Sequence, residues 1–185
     1  ASVYSVELPK ATVIGESAFG ECLHLTEVSI PNVAKIGTQA FMHCPALSTI
    51  SMPNVTRIPN FAFWGCSSLC SVVLPTVYHV GYFAFEDCTS LTSIDLPLAT
   101  EVYDGAFSGC TSLITAVLPS VTVAGDQVFK GCDCLYCATL PALFNVGGEM
   151  FSGCTSLSSV EVSAAEQIGD RAFEGCECLS DIWLP

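Results

Sequence analysis

Cysteine and histidine have the widest chemical reach of the side chains in this 185-residue chain, which holds twelve cysteines and three histidines. Eight cysteines recur every 22 residues, from Cys22 and Cys44 to Cys154 and Cys176. Cys70, Cys134, Cys137 and Cys178 fall outside that series. His24 and His43 lie near repeat cysteines, the composition of a Cys–His nucleophile. A cysteine that returns once per repeat reads as a buried column, however, and no third group stands ready to orient either histidine, so His24, His43 and His79 read as surface residues. Cys134-Leu135-Tyr136-Cys137 has the spacing of half a zinc site, but zinc needs a second, converging pair. Cys134 and Cys178 share a column two coils apart, about 10 Å, too far for a disulfide. No Gly-rich phosphate loop and no carboxylate pair is present. We therefore assign no catalytic residue, no metal ligand and no cofactor, and expect no enzyme. Catalysis needs unlike side chains to converge, and this chain repeats like ones.

Binding chemistry is the alternative. Positions that are polar in most repeats turn aromatic in the third and fourth: Phe61, Trp64, Tyr82 and Phe83, with Met42 beside the column of Trp64. These should form one cluster, either a partner-contact surface or local packing over the turn at Pro59. Lys35, Arg57 and His79 stack in one column that ends at Glu101, either as a seat for an anionic group or as a solvated ladder. Tyr4, Asp95, Tyr136 and Trp183 stand on outward strand positions, the concave or flat sheet face of such a fold. Asn54-Val55-Thr56 is an acceptor sequon for N-glycosylation.

The elements that must position these residues follow from the period. Phenylalanine recurs from Phe19 to Phe173, leucine from Leu25 to Leu179, and proline from Pro9 to Pro141. Eight repeats without insertion make a solenoid, in which each coil contacts its neighbours. Within a coil, Val28-Ser29-Ile30 and Ile94-Asp95-Leu96 alternate and stop at a proline, which predicts a short strand. Apolar pairs such as Val33 and Ile36 predict a second extended segment. Glycines at Gly15, Gly37, Gly81, Gly125, Gly147 and Gly169, with Pro59 and Tyr103 as exceptions, read as turn positions that need conformational freedom. Ala106-Phe107-Ser108-Gly109-Cys110 and its equivalents predict one helical or 3₁₀ turn closed by glycine. The expectation is an α/β repeat solenoid of 22-residue coils, with a parallel sheet on one face, short second strands, and short helical turns on the others. Residues 1–185 form one such domain: a partial coil at 1–8, eight repeats over 9–184, and the start of another coil at Pro185. The chain does not begin with Met and both ends fall in mid-pattern, so it reads as a processed chain or part of a longer array.

Composition narrows the partners. Half of the residues, 51%, are apolar and 12% are charged, which excludes disorder. Apolar runs stay far below the ~20 residues of a membrane span. The formal charge of −13 repels phosphate backbones, so neither nucleic acid nor direct membrane insertion is expected.

The pattern Leu-x-x-(Ile/Val)-x-Leu-Pro followed by Ala-Phe-x-Gly-Cys-(Thr/Ser)-Ser-Leu stands here as Leu91–Pro97 and Ala106–Leu113. It resembles the BspA-like, or Treponema pallidum-type, leucine-rich repeat over essentially the whole chain. The resemblance implies a surface or secreted protein, extracellular or at the cell surface. It further implies adhesion or binding of a host or matrix protein, with no catalytic activity and no binding residue that carries over. The alternative is a structural protein that self-assembles. Val3–Leu8 and Leu179–Leu184 are uncapped strands, and head-to-tail stacking would continue the 22-residue register into a homo-oligomer.

Overall fold

The computed structural model describes residues 3–184; Pro185, expected to open a further coil, lies outside the described residues. Three-residue and two-residue strands alternate along the chain: β1 (Ser5–Glu7), β2 (Val13–Ile14), β3 (Glu27–Ser29), β4 (Lys35–Ile36), β5 (Thr49–Ser51), β6 (Arg57–Ile58), β7 (Ser71–Val73), β8 (His79–Val80), β9 (Ser93–Asp95), β10 (Glu101–Val102), β11 (Thr115–Val117), β12 (Val123–Ala124), β13 (Cys137–Thr139), β14 (Asn145–Val146), β15 (Ser159–Glu161), β16 (Gln167–Ile168) and β17 (Asp181–Trp183). Every pair is parallel and shifted by one repeat, as in Val6 on Val28, Ile94 on Ala116 and Val160 on Ile182. The odd-numbered strands lie along one side in the sheets β1-β3, β5-β7 and β9 to β17, and the even-numbered ones along the second side in β2-β4, β6 to β12 and β14-β16. Ladder geometry thus follows from periodicity: equal residues meet because each coil has the same length.

The core is a set of columns. Ile50, Ile94, Ala116, Ala138 and Val160 point inward from the middle of their strands, while the residues on either side face outward. Phenylalanines from Phe41 to Phe151 are fully buried. All eight rings, Phe19 to Phe173, stack with centroids 5.1–5.6 Å apart and planes within 4–12°. That spacing is slightly above the ~4.8 Å rung of a sheet, as offset stacking requires. Prolines end the main strands because they cannot donate to the ladder. Their carbonyls are taken up by the next coil: Asn32 Nδ2 donates to Pro9 at 2.7 Å, and Ser120 Oγ to Pro97 at 2.8 Å.

The expected helical turn around each phenylalanine is absent; the described residues contain no helix, and the fold is a solenoid of strands and tight turns. The reason lies in two left-handed positions per coil, two residues before and two after the phenylalanine. Ser17 (φ 51°), Phe61 (57°), Phe83 (53°) and Gly105 (62°) occupy the first; Glu21 (59°), His43 (53°) and Gly153 (78°) occupy the second. A right-handed helix cannot pass through such residues. Around Phe19 the N–H groups alternate in direction. Those of Ala18, Gly20 and Cys22 bond back within the turn, and those of Ser17, Phe19 and Glu21 bond to Thr38, Ala40 and Met42 of the next coil. The inter-coil set recurs down the stack at 2.7–3.1 Å. Half of the turn's donors are therefore committed sideways, where a helix would direct all of them along its axis.

The glycines after the second strand also differ from expectation: they lack positive φ and are needed for close approach. A Cβ on Gly37 would stand 2.4 Å from the backbone nitrogen of Glu16 in the preceding coil, and one on Gly81 would stand 2.7 Å from that of Asn60.

Candidate functional site

The two ladders and the turn edge carry three sets of outward residues. On the turn edge the left-handed positions of the third and fourth coils hold Phe61 and Phe83. A bulky residue at positive φ stores on the order of 1–3 kcal/mol of strain. Their rings stack at 5.6 Å and 12°. Trp64 tilts against Phe61 at 5.8 Å and against His43 at 4.7 Å. Phe61, Trp64, Phe83, His43 and Met42 are all half-buried. The reach of these side chains depends on glycine one coil later: a Cβ on Gly105 would meet Phe83 Cδ1 at 2.4 Å, and one on Gly65 would meet His43 Nδ1 at 2.4 Å. Large side chain, then glycine 22 residues on, was the signal in the sequence that would have placed His43 in this set.

Tyr82 does not join the cluster. Its ring tilts against Tyr103 at 5.0 Å, and Tyr103 in turn lies 5.0 Å from His79. Left-handed backbone at Phe83 turns successive side chains apart, so neighbours in sequence face different groups. Tyr103 replaces a glycine of the repeat, and the sequence marked it only as that exception.

Those rings border the cationic column on β4, β6, β8 and β10. Arg57 sits over the Tyr78 ring at 5.4 Å, with Nη1 donating to Tyr78 Oη at 3.4 Å. His79 Nδ1 pairs with Glu101 Oε2 at 3.0 Å, and Tyr103 Oη donates to the same oxygen at 3.4 Å. The hydrogen bond from His79 holds the Glu101 carboxyl below its ordinary range. Burial first, and then the Glu101 charge, pushes the Tyr103 phenol up. A groove of about 610 Å³ opens beside this column, walled by Lys35, Thr38, Arg57, Asn60 and Tyr78. Pro59 stands at its edge. At this position Gly37, Gly81 and Tyr103 donate their N–H groups to Ile14, Ile58 and Val80 of the preceding coil. Proline has none, and β4 and β6 belong to different sheets.

The main ladder does not gather its outward residues. Tyr4 stacks on His24 at 5.6 Å; Asp95, Tyr136 and Trp183 are exposed on separate coils. Asn54 uses its amide structurally, Nδ2 donating to the Pro31 carbonyl at 2.9 Å, and lines the groove.

All twelve cysteines stand as free thiols. The repeat cysteines donate Sγ–H to the phenylalanine carbonyl of the preceding coil, as in Cys110 to Phe85 at 3.2 Å and Cys154 to Phe129 at 3.0 Å. Burial pushes the Cys88, Cys110 and Cys132 thiols up and that of Cys154 up to about 12. Cys44 points at Phe19 and His43 lies on Trp64, so the two do not form a dyad. Cys70, Cys134 and Cys178 are exposed and Cys137 is half-buried. Among the described residues, no group of three His, Cys, Asp or Glu side chains could hold a metal ion, and no helix is long and apolar enough to cross a membrane.

Comparison with known proteins agrees with this geometry. A leucine-rich repeat protein from Bacteroides ovatus has the same fold over 100% of this chain, with a TM-score of 0.87 and 26% identity; the chain spans 56% of that protein's length. The T. pallidum leucine-rich repeat protein matches 97% of the chain and 79% of its own length, with a TM-score of 0.67 and 30% identity. The TLR13–ssRNA13 complex matches at 17% identity, a TM-score of 0.56, 98% of this chain and 32% of its own, a likeness of fold alone. No curated protein sequence matches the chain. The profile described as BspA type leucine rich repeat region matches residues 1–113 and 56–180, in six copies, and the chain belongs to that family.

Proposed function

We propose that the chain is a non-enzymatic protein-binding or adhesion module of a cell-surface or secreted protein, and that its partner docks on Phe61, Trp64, Phe83, His43 and Met42. Leucine-rich repeat proteins typically mediate protein–protein interaction or adhesion, and the single observation that carries the local reading is the aromatic ladder on the turn edge. Phe61 and Phe83 stand at a left-handed position that Ser17, Gln39, Gln127, Glu149 and Arg171 fill in other coils and Gly105 in one. Large rings gathered there in a half-exposed cluster are the pattern of a contact surface.

The test is surface plasmon resonance on an immobilised extracellular-matrix protein extract. Trp64→Ser together with Phe83→Gly should weaken binding by at least roughly tenfold while the melting curve stays in place. Unchanged binding by that variant would remove this surface from the proposal.

A second reading has its own observation. Val3, Leu8, Ile168, Ile182 and Leu184 are exposed, whereas the same columns are buried in interior coils. A further coil would cover them, whether it comes from a longer chain or a second copy. If a second copy supplies it, light scattering should show concentration-dependent assembly that Val6→Lys or Ile182→Lys dissolves. A concentration-independent monomer would rule that reading out.

A further inference from the structure

The groove beside Pro59 has the chemistry of a ligand site separate from the aromatic ladder. Its volume of about 610 Å³ falls in the range of small-ligand sites, roughly 300–1,000 Å³. Only five cationic side chains stand against eighteen carboxylates in this chain, yet two of the five, Lys35 and Arg57, face this one groove from adjacent coils. Neither makes an ion pair among the described residues. Like charges on neighbouring rungs repel, so in a molecule with a formal charge of −13 their pairing marks the seat of an anionic group.

The rest of the wall narrows that group's carrier. Tyr78 holds Arg57 by its ring and its hydroxyl, which leaves other donors of the guanidinium fork for a ligand. Thr38, Thr56, Asn54 and Asn60 line the groove with hydroxyls and amides. The Ile36 carbonyl, also in the wall, lacks the N–H that Pro59 cannot supply. Such a surface suits a ligand rich in hydroxyls that both donate and accept. Glu101, paired with His79 at the far end of the column, repels a second negative charge. We propose that this groove binds a short acidic saccharide, one carboxylate or sulfate on a hydroxyl-rich sugar, with Lys35 and Arg57 on the anionic group.

Isothermal titration calorimetry at low ionic strength tests this with four probes: galacturonate for the carboxylate, galactose 6-sulfate for the sulfate, lactose as the neutral sugar, and hexaglutamate as an acidic peptide. At least one acidic sugar should bind one to one, and lactose roughly tenfold more weakly or not at all. Lys35→Gln and Arg57→Gln should each cost roughly tenfold in affinity. Pro59→Gly, which restores a donor to the Ile36 carbonyl, should weaken binding without lowering the melting temperature. Trp64→Ser should leave saccharide affinity unchanged, so this site and the protein-contact surface fail separately. The proposal falls if neither acidic sugar binds, if lactose binds equally well, if only hexaglutamate binds, or if both charge-removing variants bind like the native chain.

Discussion

A thiol is a weak donor, and each repeat cysteine from Cys44 to Cys176 donates to a phenylalanine carbonyl one coil back. The same carbonyl also accepts the N–H of its own coil's cysteine, as Phe85 accepts from both Cys88 and Cys110. The cysteine column therefore fills space and links coils. It also predicts how stability depends on alkali. Below pH 9.0 the thiols are protonated in both the folded and unfolded states. Above it the unfolded chain releases protons that the folded core keeps, since Cys154 stays protonated to about 12 and Cys88, Cys110 and Cys132 are also raised. Stability should thus be flat below about pH 8 and fall between pH 9 and 12, by up to about 1.4 kcal/mol per pH unit for each such thiol. Denaturant titrations across that range check this, and Cys110→Ala should flatten the slope. Native-state labelling should modify Cys70, Cys134 and Cys178 before Cys88 or Cys110; early modification of Cys110 would contradict its burial.

At the scale of the element, the turn around phenylalanine and the glycine after the second strand set how closely coils stack. Glycine here is a requirement imposed by the preceding coil. Gly15 has no atom within 4 Å of a Cβ built on it, whereas Gly37 has the Glu16 nitrogen at 2.4 Å. Gly15→Ala should therefore change stability by less than about 0.5 kcal/mol, and Gly37→Ala should lower it by about 1–3 kcal/mol as the coils are forced apart. Equal effects in chemical denaturation would show that close approach is not what this glycine provides. At Pro59 the small residue and its N–H are both missing, and the Ile36 carbonyl loses the donor that Gly37 and Gly81 supply to Ile14 and Ile58.

Over the whole molecule, stability accumulates from like contacts between neighbouring coils, so it should be highest in the middle. Phe107 is fully buried between Phe85 and Phe129, whereas Phe19 and Phe173 are half-buried. Phe107→Ala should destabilise by about 3–5 kcal/mol, and Phe19→Ala or Phe173→Ala by clearly less. Native-state hydrogen exchange should follow the same gradient, with amides of β1 and β17 exchanging before those of β9. Uniform protection from end to end would require a further coil over each terminal coil.

The 22-residue period by itself determined the solenoid, the parallel one-repeat register, and the buried phenylalanine, leucine and cysteine columns. A residue that returns once per coil meets the same neighbours each time, so its environment follows from its recurrence. Tertiary structure alone decided the rest. The chain could not show that Ser17 or Phe61 is left-handed, because that conformation is held by N–H groups bonded to another coil rather than by local preference. It could not show that Tyr82 parts from Phe83, since that follows from the same backbone. The groove also escaped the pattern, because it arises from a donor missing at Pro59 and becomes a cavity only when the next coil is laid beside it.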